Sequence, residues 1–327
     1  MRSLLAIAAA LALLGCSKSV AFKPESIERG ISYDDRLTSP VVARTPNAAL
    51  TEAGEIISQE PTAKRYLAKG ETLLGVSGDF VIASNGEQIV IYGQDSWRVP
   101  TQEPIVSAAT DGKALATISS DNLCRIIDLK TKKTLFMTQE RLASAVTSRI
   151  ASPLLTQRQI IFPTLDGKLI VVDRATNTIS RELIISADEF FANPIFLDLF
   201  EGAPIVASHN RIVLLGERVI IKDINLRLVA LFDDRLFVFG QDGEVRRLNT
   251  RLESIASYKL PYARFVAAAR HNGALFAVEQ SGYLARFDDD LTSAVVYELP
   301  DSIRSTFFAQ GDRLYYHNKI IRWRVDE

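Results

Sequence analysis

RIASPLLTQRQIIFPTLDGKLIVVDRATNTISRELII, residues 149–185, holds the pattern that decides the fold. It divides into Arg149–Leu155, Gln159–Thr164, Lys168–Asp173 and Thr178–Ile185, with turns at Asp166-Gly167 and Arg174–Asn177. Each run is short, rich in Val, Ile, Leu and Phe, and bounded by Gly, Asp or Asn. Runs of this kind are strands, because an amphipathic helix needs about 10 residues or more and an apolar recurrence every three to four positions. The stretch reads as four consecutive strands joined by tight turns.

The same unit recurs on both sides. Residues 105–138 carry it as IVSAAT, KALATISS, LCRIIDL and TLFMT. Residues 227–260 carry it as RLFVFG, the turn Gln241-Asp242-Gly243, EVRRLN and IASYKLP, and residues 264–299 as ALFAVE, Gln280-Ser281-Gly282, YLARFD and AVVYELP. Weaker copies cover 73–99 and 195–224. A last group begins near Ser305 with TFFAQ, DRLYYH and KIIRWRV, and a fourth strand for it is expected from Asn47–Ser58, NAALTEAGEIIS. Four-stranded units at spacings of roughly 32–46 residues match the blades of a β-propeller. The expectation is an all-β chain, a seven-bladed β-propeller of four-stranded blades closed by an N-terminal strand, with six or eight blades as the alternatives. A pair of β-sandwiches needs a linker that residues 46–327 do not contain, and a solenoid needs capping units and a stricter repeat.

Ahead of the repeats stands MRSLLAIAAALALLGC, residues 1–16. Arg2 gives a positive start and Leu4–Leu14 an apolar run too short to span a bilayer as a mature helix. Leu13-Leu14-Gly15-Cys16 resembles the lipobox of bacterial lipoproteins, which implies that Cys16 is acylated and begins the mature chain. Ser17 is compatible, by the sorting rule of that family, with an outer-membrane position on the periplasmic side, the inner membrane being the alternative. Residues 17–45 are polar, contain Pro24 and Pro40, and show no period. The expected organisation is thus a signal peptide at 1–15, a flexible lipid-proximal tether at 16–45, and a propeller domain at 46–327.

The repeats also resemble a known group. Asp128-Leu129-Lys130-Thr131-Lys132-Lys133-Thr134-Leu135-Phe136 and Asp173-Arg174-Ala175-Thr176-Asn177-Thr178-Ile179 follow the strand–Asp–turn–strand pattern of quinoprotein-type (PQQ-like) propeller repeats. Phe136 replaces the usual Trp and Asn177 the usual Gly. Together with the lipobox, this texture is similar to that of the BamB-like lipoproteins. That resemblance implies a non-catalytic scaffold for protein–protein interaction in outer-membrane β-barrel assembly, with the barrel-forming subunit as partner and membrane attachment through the lipid. A scaffold of another envelope complex is the alternative, and a small-molecule-binding, sugar-binding or enzymatic propeller a third.

Little in the sequence supports that third class. Basic and acidic residues balance, 38 against 39, and no basic patch suggests nucleic acid. No nucleophile elbow, HExxH, phosphate loop or CxxC is present. Asp288-Asp289-Asp290 and Asp233-Asp234 read as hairpin tips rather than a calcium loop. His209, His271 and His317 each precede Asn and fall in separate repeats, which argues against a zinc site. Cys124 lies in a strand and reads as a buried thiol. No catalytic, cofactor-binding or metal-ligating residue is expected. The candidates for partner binding are Phe190 and Phe191, which precede a Phe-rich strand, and the long insertion at 139–148. Trp97, Trp323 and Tyr315-Tyr316 read as core or blade-edge residues.

Overall fold

A computed structural model describes residues 21–58, 62, 65–144, 150–188 and 192–323. It is all-β, and its sheets form a ring of eight blades rather than seven. Within a blade the strands run antiparallel from the centre outward, here called a, b, c and d. In chain order the first blade holds β2 (Val41–Arg44), β3 (Ala48–Thr51) and β4 (Ile56–Ser58). The second holds β5 (Thr72–Ser77), β6 (Phe80–Ser84), β7 (Gln88–Tyr92) and β8 (Ser96–Pro100). The third holds β9 (Ile105–Thr110), β10 (Ala114–Ser119), β11 (Leu123–Asp128) and β12 (Thr134–Gln139). The fourth holds β13 (Leu154–Leu155), β14 (Gln159–Pro163), β15 (Lys168–Asp173) and β16 (Thr178–Ile184). The fifth holds β17 (Phe196–Phe200), β18 (Ala203–Ala207), β19 (Arg211–Leu215) and β20 (Val219–Asp223). The sixth holds β21 (Leu226–Phe232), β22 (Arg235–Gly240), β23 (Glu244–Leu248) and β24 (Ser254–Lys259). The seventh holds β25 (Phe265–His271), β26 (Ala274–Glu279), β27 (Tyr283–Phe287) and β28 (Ala294–Glu298). The eighth is built from β29 (Phe307–Gln310), β30 (Arg313–Tyr316) and β31 (Lys319–Arg322), with β1 (Asp35–Arg36) as its outer strand.

The count of seven fails at the N-terminal end. Ala48–Thr51 and Ile56–Ser58, expected to complete the last sheet, pair instead with Val41–Arg44 in a sheet of their own. A rudimentary outer strand completes that blade through the Glu55–Tyr66 bridge, with Leu67 N–H donating to Gly54 O at 2.8 Å. The ring is closed by β1, which aligns Asp35 with Ile320 and Arg36 with Lys319. An N-terminal strand does tie the circle, but it comes from within the stretch read as spacer.

Each blade is too thin to hold a core alone, so the apolar side chains meet between blades. Eight buried clusters lie one at each blade-to-blade interface, from Ala48, Leu50 and Leu73 between the first and second to Val41, Ala49, Phe308 and Tyr315 between the eighth and first. The fully buried Phe162, Phe237, Phe239, Phe265, Phe276 and Phe287 belong to these seams. Cys124 is buried in the seam between the third and fourth blades, where burial pushes its thiol well above the usual range.

The b–c turns need glycine where they meet their own outer strand. Gly243 has φ +82°, and a Cβ there would lie 2.0 Å from Leu260 O. Gly167, at φ +88°, would meet Ser186 O at 2.4 Å. In return the glycine carbonyl accepts the N–H of the departing strand, Leu260 at 3.0 Å and Ile185 at 2.8 Å. The d strand is thereby fastened to the face that carries the b–c turns and the blade-to-blade connections.

Residues 22–37 run along this ring. Phe22 is 5% exposed and meets the Tyr283 ring edge-on at 5.5 Å. Glu28 N–H donates to Val296 O, Ile31 N–H to Glu298 O and Glu298 N–H to Arg29 O, at 2.8–3.1 Å. The segment thus adds in parallel to the edge of β28, then crosses to the eighth blade, where Asp34 and Leu37 N–H donate to Ile320 and Asn318.

Candidate protein-interaction edge

The outermost strands of the third to sixth blades share one asymmetry. On β12, Phe136 turns into the seam with the fourth blade and stacks on Phe162, whereas Leu135 and Met137, of the other parity, are 42% and 60% exposed. On β20, Ile220 joins the seam with the sixth blade while Val219 and Ile221 are open. On β24, Ala256 and Tyr258 pack toward the seventh blade and Ile255 stays open. Strand β16 adds exposed Ile179 and Ile184. A d strand of these blades therefore packs one parity on the next blade and presents the other outward, beside a backbone edge that no strand joins among the described residues. Edges with apolar side chains accept further strands.

The seventh and eighth blades show the same edge filled. Along β28 the segment 28–31 supplies the missing backbone partners, and Ile31 and Tyr33 pack on the cluster of Leu284, Tyr297 and Trp323. The Arg29 guanidinium lies 5.9 Å from the Tyr297 ring centroid, Lys319 Nζ lies 4.1 Å from that of Tyr33, and the Tyr33 hydroxyl donates to Asp301. A cleft of about 180 Å³ remains under the segment, lined by Arg29, Asp34, Phe276, Tyr297 and Trp323 among others.

The charged clusters are latches between blades. Asp289 bridges Arg235 and Arg270, the second at 3.1 Å, while Arg270 also reaches Asp233 at 2.5 Å and Arg247 donates to Asp289 O at 2.9 Å. Of the acidic runs singled out in the sequence, Asp233, Asp289 and Asp290 thus pair with arginines of the sixth and seventh blades, while Asp288 accepts from Thr292 and Ser293 in its own turn. Lys168 joins Glu140 at 2.6 Å and Glu182 at 3.1 Å, and the bond to Glu140 raises its pKa above the ordinary lysine value.

The histidines are not gathered. His209 and His317 occupy b–c turns and His271 ends an a strand, so they lie on opposite faces of the ring. Among the described residues no group of three or more His, Cys, Asp or Glu is placed to hold a metal ion. On the described a strands the only carboxylate is Asp198, so no carboxylate pair faces the centre from them.

Of the residues named from sequence, Cys16, Phe190 and Phe191 lie outside the described residues. Beside the Phe pair, Phe200 is buried in the seam with the sixth blade and Phe196 packs against it. In the insertion at 139–148, Leu142 is 74% exposed. Trp97 packs on Phe80, and Trp323 stacks on Phe276 at 5.8 Å. The exposed edge residues were overlooked in sequence, although apolar side chains of both parities in Leu135-Phe136-Met137 and Val219-Ile220-Ile221 signal an outermost strand with one side to spare.

No family model matches the chain. In sequence it is similar to the plasminogen-binding protein PgbB of Helicobacter pylori, with 31% identity over 232 residues, covering 68% of this chain and 41% of that protein. The chain therefore spans less than half the length of the curated relatives it matches. In structure it is similar to BamB from Moraxella catarrhalis (TM-score 0.61, 13% identity, 93% of this chain and 98% of that one). It is also similar to Sqt1 from Saccharomyces cerevisiae (TM-score 0.60, 13% identity, 91% and 99%). At those identities the structural likeness is one of fold, and the fold is a β-propeller.

Proposed function

We propose that this chain is a non-catalytic protein-binding propeller, held by an acylated Cys16 at the periplasmic face of the outer membrane, whose outer edges take up extended segments of partner proteins. The observation that carries the reading is intramolecular. Residues 28–31 dock on β28 by strand addition, and β12, β16, β20 and β24 offer similar edges with exposed Leu135, Met137, Ile179, Ile221 and Ile255. Backbone hydrogen bonds along such an edge give affinity without demanding a sequence, and the apolar side chains beside it select what fits. The relative's name, which gives plasminogen binding, and the propeller fold shared with the solved BamB structure support the reading.

The test is photocrosslinking in the native envelope from probes placed at Met137 and Ile221, with Arg251, on a distal turn, as the control site. The expected result is adducts from the two edge positions that disappear when charges are placed on the same strands, Leu135→Asp on β12 and Val219→Asp on β20. Adducts only from Arg251, or edge adducts indifferent to the charges, would sink the reading. Recovery of the barrel-forming subunit assigns the chain to outer-membrane β-barrel assembly. Recovery of other envelope proteins assigns it to a different complex, and capture of plasminogen aligns it with the named relative.

A further inference from the structure

The point at which the N-terminal segment leaves the propeller constrains how the molecule sits on its membrane. Phe22 is buried in the seam of the sixth and seventh blades and meets the ring of Tyr283, the first residue of β27 after the b–c turn, at 5.5 Å. Ala21, next to it, is exposed and lies with Tyr262, Arg264, Gln280 and Ser281 around a small cleft. Those residues belong to the blade-to-blade connection at 260–264 and the b–c turn at 280–282. The chain therefore departs from the face of the b–c turns, at the rim of the sixth and seventh blades.

Phe22 follows Cys16 by only six positions. Whatever path the chain takes between them, full extension gains no more than about 3.6 Å per residue, so Phe22 stands within about 22 Å of the acylated residue. The c strand of the sixth blade, Glu244–Leu248, adds roughly 17 Å between this face and the opposite one. For the opposite face to meet the lipid, the leash would have to reach past the full height of a blade and around its rim. We infer that the b–c-turn face of the sixth and seventh blades is turned toward the lipid surface, and that the a–b and c–d turns point away from it. This rests on the reading that Cys16 is acylated. A tether running through residue 45 would impose no such orientation. In this pose the open edges of the third to sixth blades lie on the rim of the ring, reachable from the side.

Energy transfer from a dye on the protein to an acceptor-labelled lipid measures the orientation. Two full-length lipidated variants carry the dye at opposite ends of the sixth blade, Gln241→Cys in its b–c turn and Arg251→Cys in its c–d turn. Both positions are exposed, and the native Cys124 is buried and does not compete for label. The proteins are reconstituted into vesicles of phosphatidylethanolamine and phosphatidylglycerol. Transfer at least twofold greater from position 241 than from 251 is expected, and insertion of a 25-residue Gly-Ser spacer between Lys18 and Ser19 is expected to remove the difference. Equal transfer from the two positions without the spacer, or greater transfer from 251, overturns the inference. Tyr262→Cys replaces Gln241→Cys if the latter does not fold. Mass spectrometry of the same samples reports the acyl chain, so a chain without it defeats the anchoring reading and is told apart from an acylated chain with the wrong orientation.

Discussion

Asn122 shows how a single residue links two blades. It is fully buried, with φ +66° in the b–c turn of the third blade. Its Nδ2 donates to Arg141 O at 2.7 Å and to Asp166 Oδ1 at 3.0 Å, and its Oδ1 accepts Leu165 N–H at 2.8 Å. One side chain thereby holds its own outgoing connection and the next blade's b–c turn. Asn tolerates the left-handed conformation that alanine resists by about 1 kcal/mol, and truncation would leave the buried Leu165 N–H without its acceptor at a cost of about 1–3 kcal/mol. Asn122→Ala is expected to lower stability by about 3 kcal/mol in urea denaturation. A loss below about 1 kcal/mol would mean that the turns are not coupled through this residue. None of this was legible in the sequence, where Asp121-Asn122 only separates the runs KALATISS and LCRIIDL, because the partners at Arg141 and Asp166 are brought in by the ring and not by the local chain.

At the scale of elements, the sequence displayed what alternation and turn chemistry can display. Most strands between residues 73 and 299 and the Gly-containing turns fall where the pattern put them, because inner strands are buried on both sides and read as apolar runs, but of the strand expected at Arg149–Leu155 only Leu154–Leu155 is formed among the described residues. The segment 21–44 was hidden for the converse reason. Its closing strand is two residues long and both are exposed, its strand addition uses backbone atoms that leave no mark on side-chain choice, and its anchors Phe22, Ile31 and Tyr33 are scattered through polar residues. The blade count slipped there, since the two best apolar runs of the first blade were spent on closing the last. Phe22 now gives the segment a measurable role in stability. Phe22→Ala is expected to cost about 3 kcal/mol and to expose residues 28–36 to hydrogen exchange. An unchanged melting midpoint, with unchanged protection at Ile31 and Asp34, would show that the segment contributes nothing to the fold.

Across the whole molecule the repeat multiplies a small electrostatic effect. Asp128 accepts Thr131 N–H at 2.5 Å, Asp173 accepts Thr176 and Ala175 N–H at 3.0 and 2.9 Å, and Asp242 pairs with Lys259 at 2.6 Å. Their carboxyls are held below the ordinary aspartate range, by the turn N–H groups in the first two and by the lysine bond in the third. A carboxyl whose folded pKa is depressed stabilises the fold above its unfolded value, about 3.9 for Asp, and that contribution drains away as pH falls through the folded value. Glu279 works in the opposite sense. It is 1% exposed, and burial raises its pKa despite the N–H groups of Ser281 and Arg264, so its contribution is present in acid and lost as pH rises. Asp198, raised by desolvation, acts in the same sense as Glu279; the more numerous turn carboxyls set the balance, and the melting midpoint is expected to be flat from pH 7 to 5 and to fall steadily from pH 4 to 2. Asp173→Asn keeps an acceptor for the turn but cannot be protonated in that range, so the variant is expected to lose less between pH 4 and 2 than the parent does. If the two curves run parallel through that interval, the turn carboxylates do not govern the acid limb, and the loss must come from the arginine latches between the sixth and seventh blades.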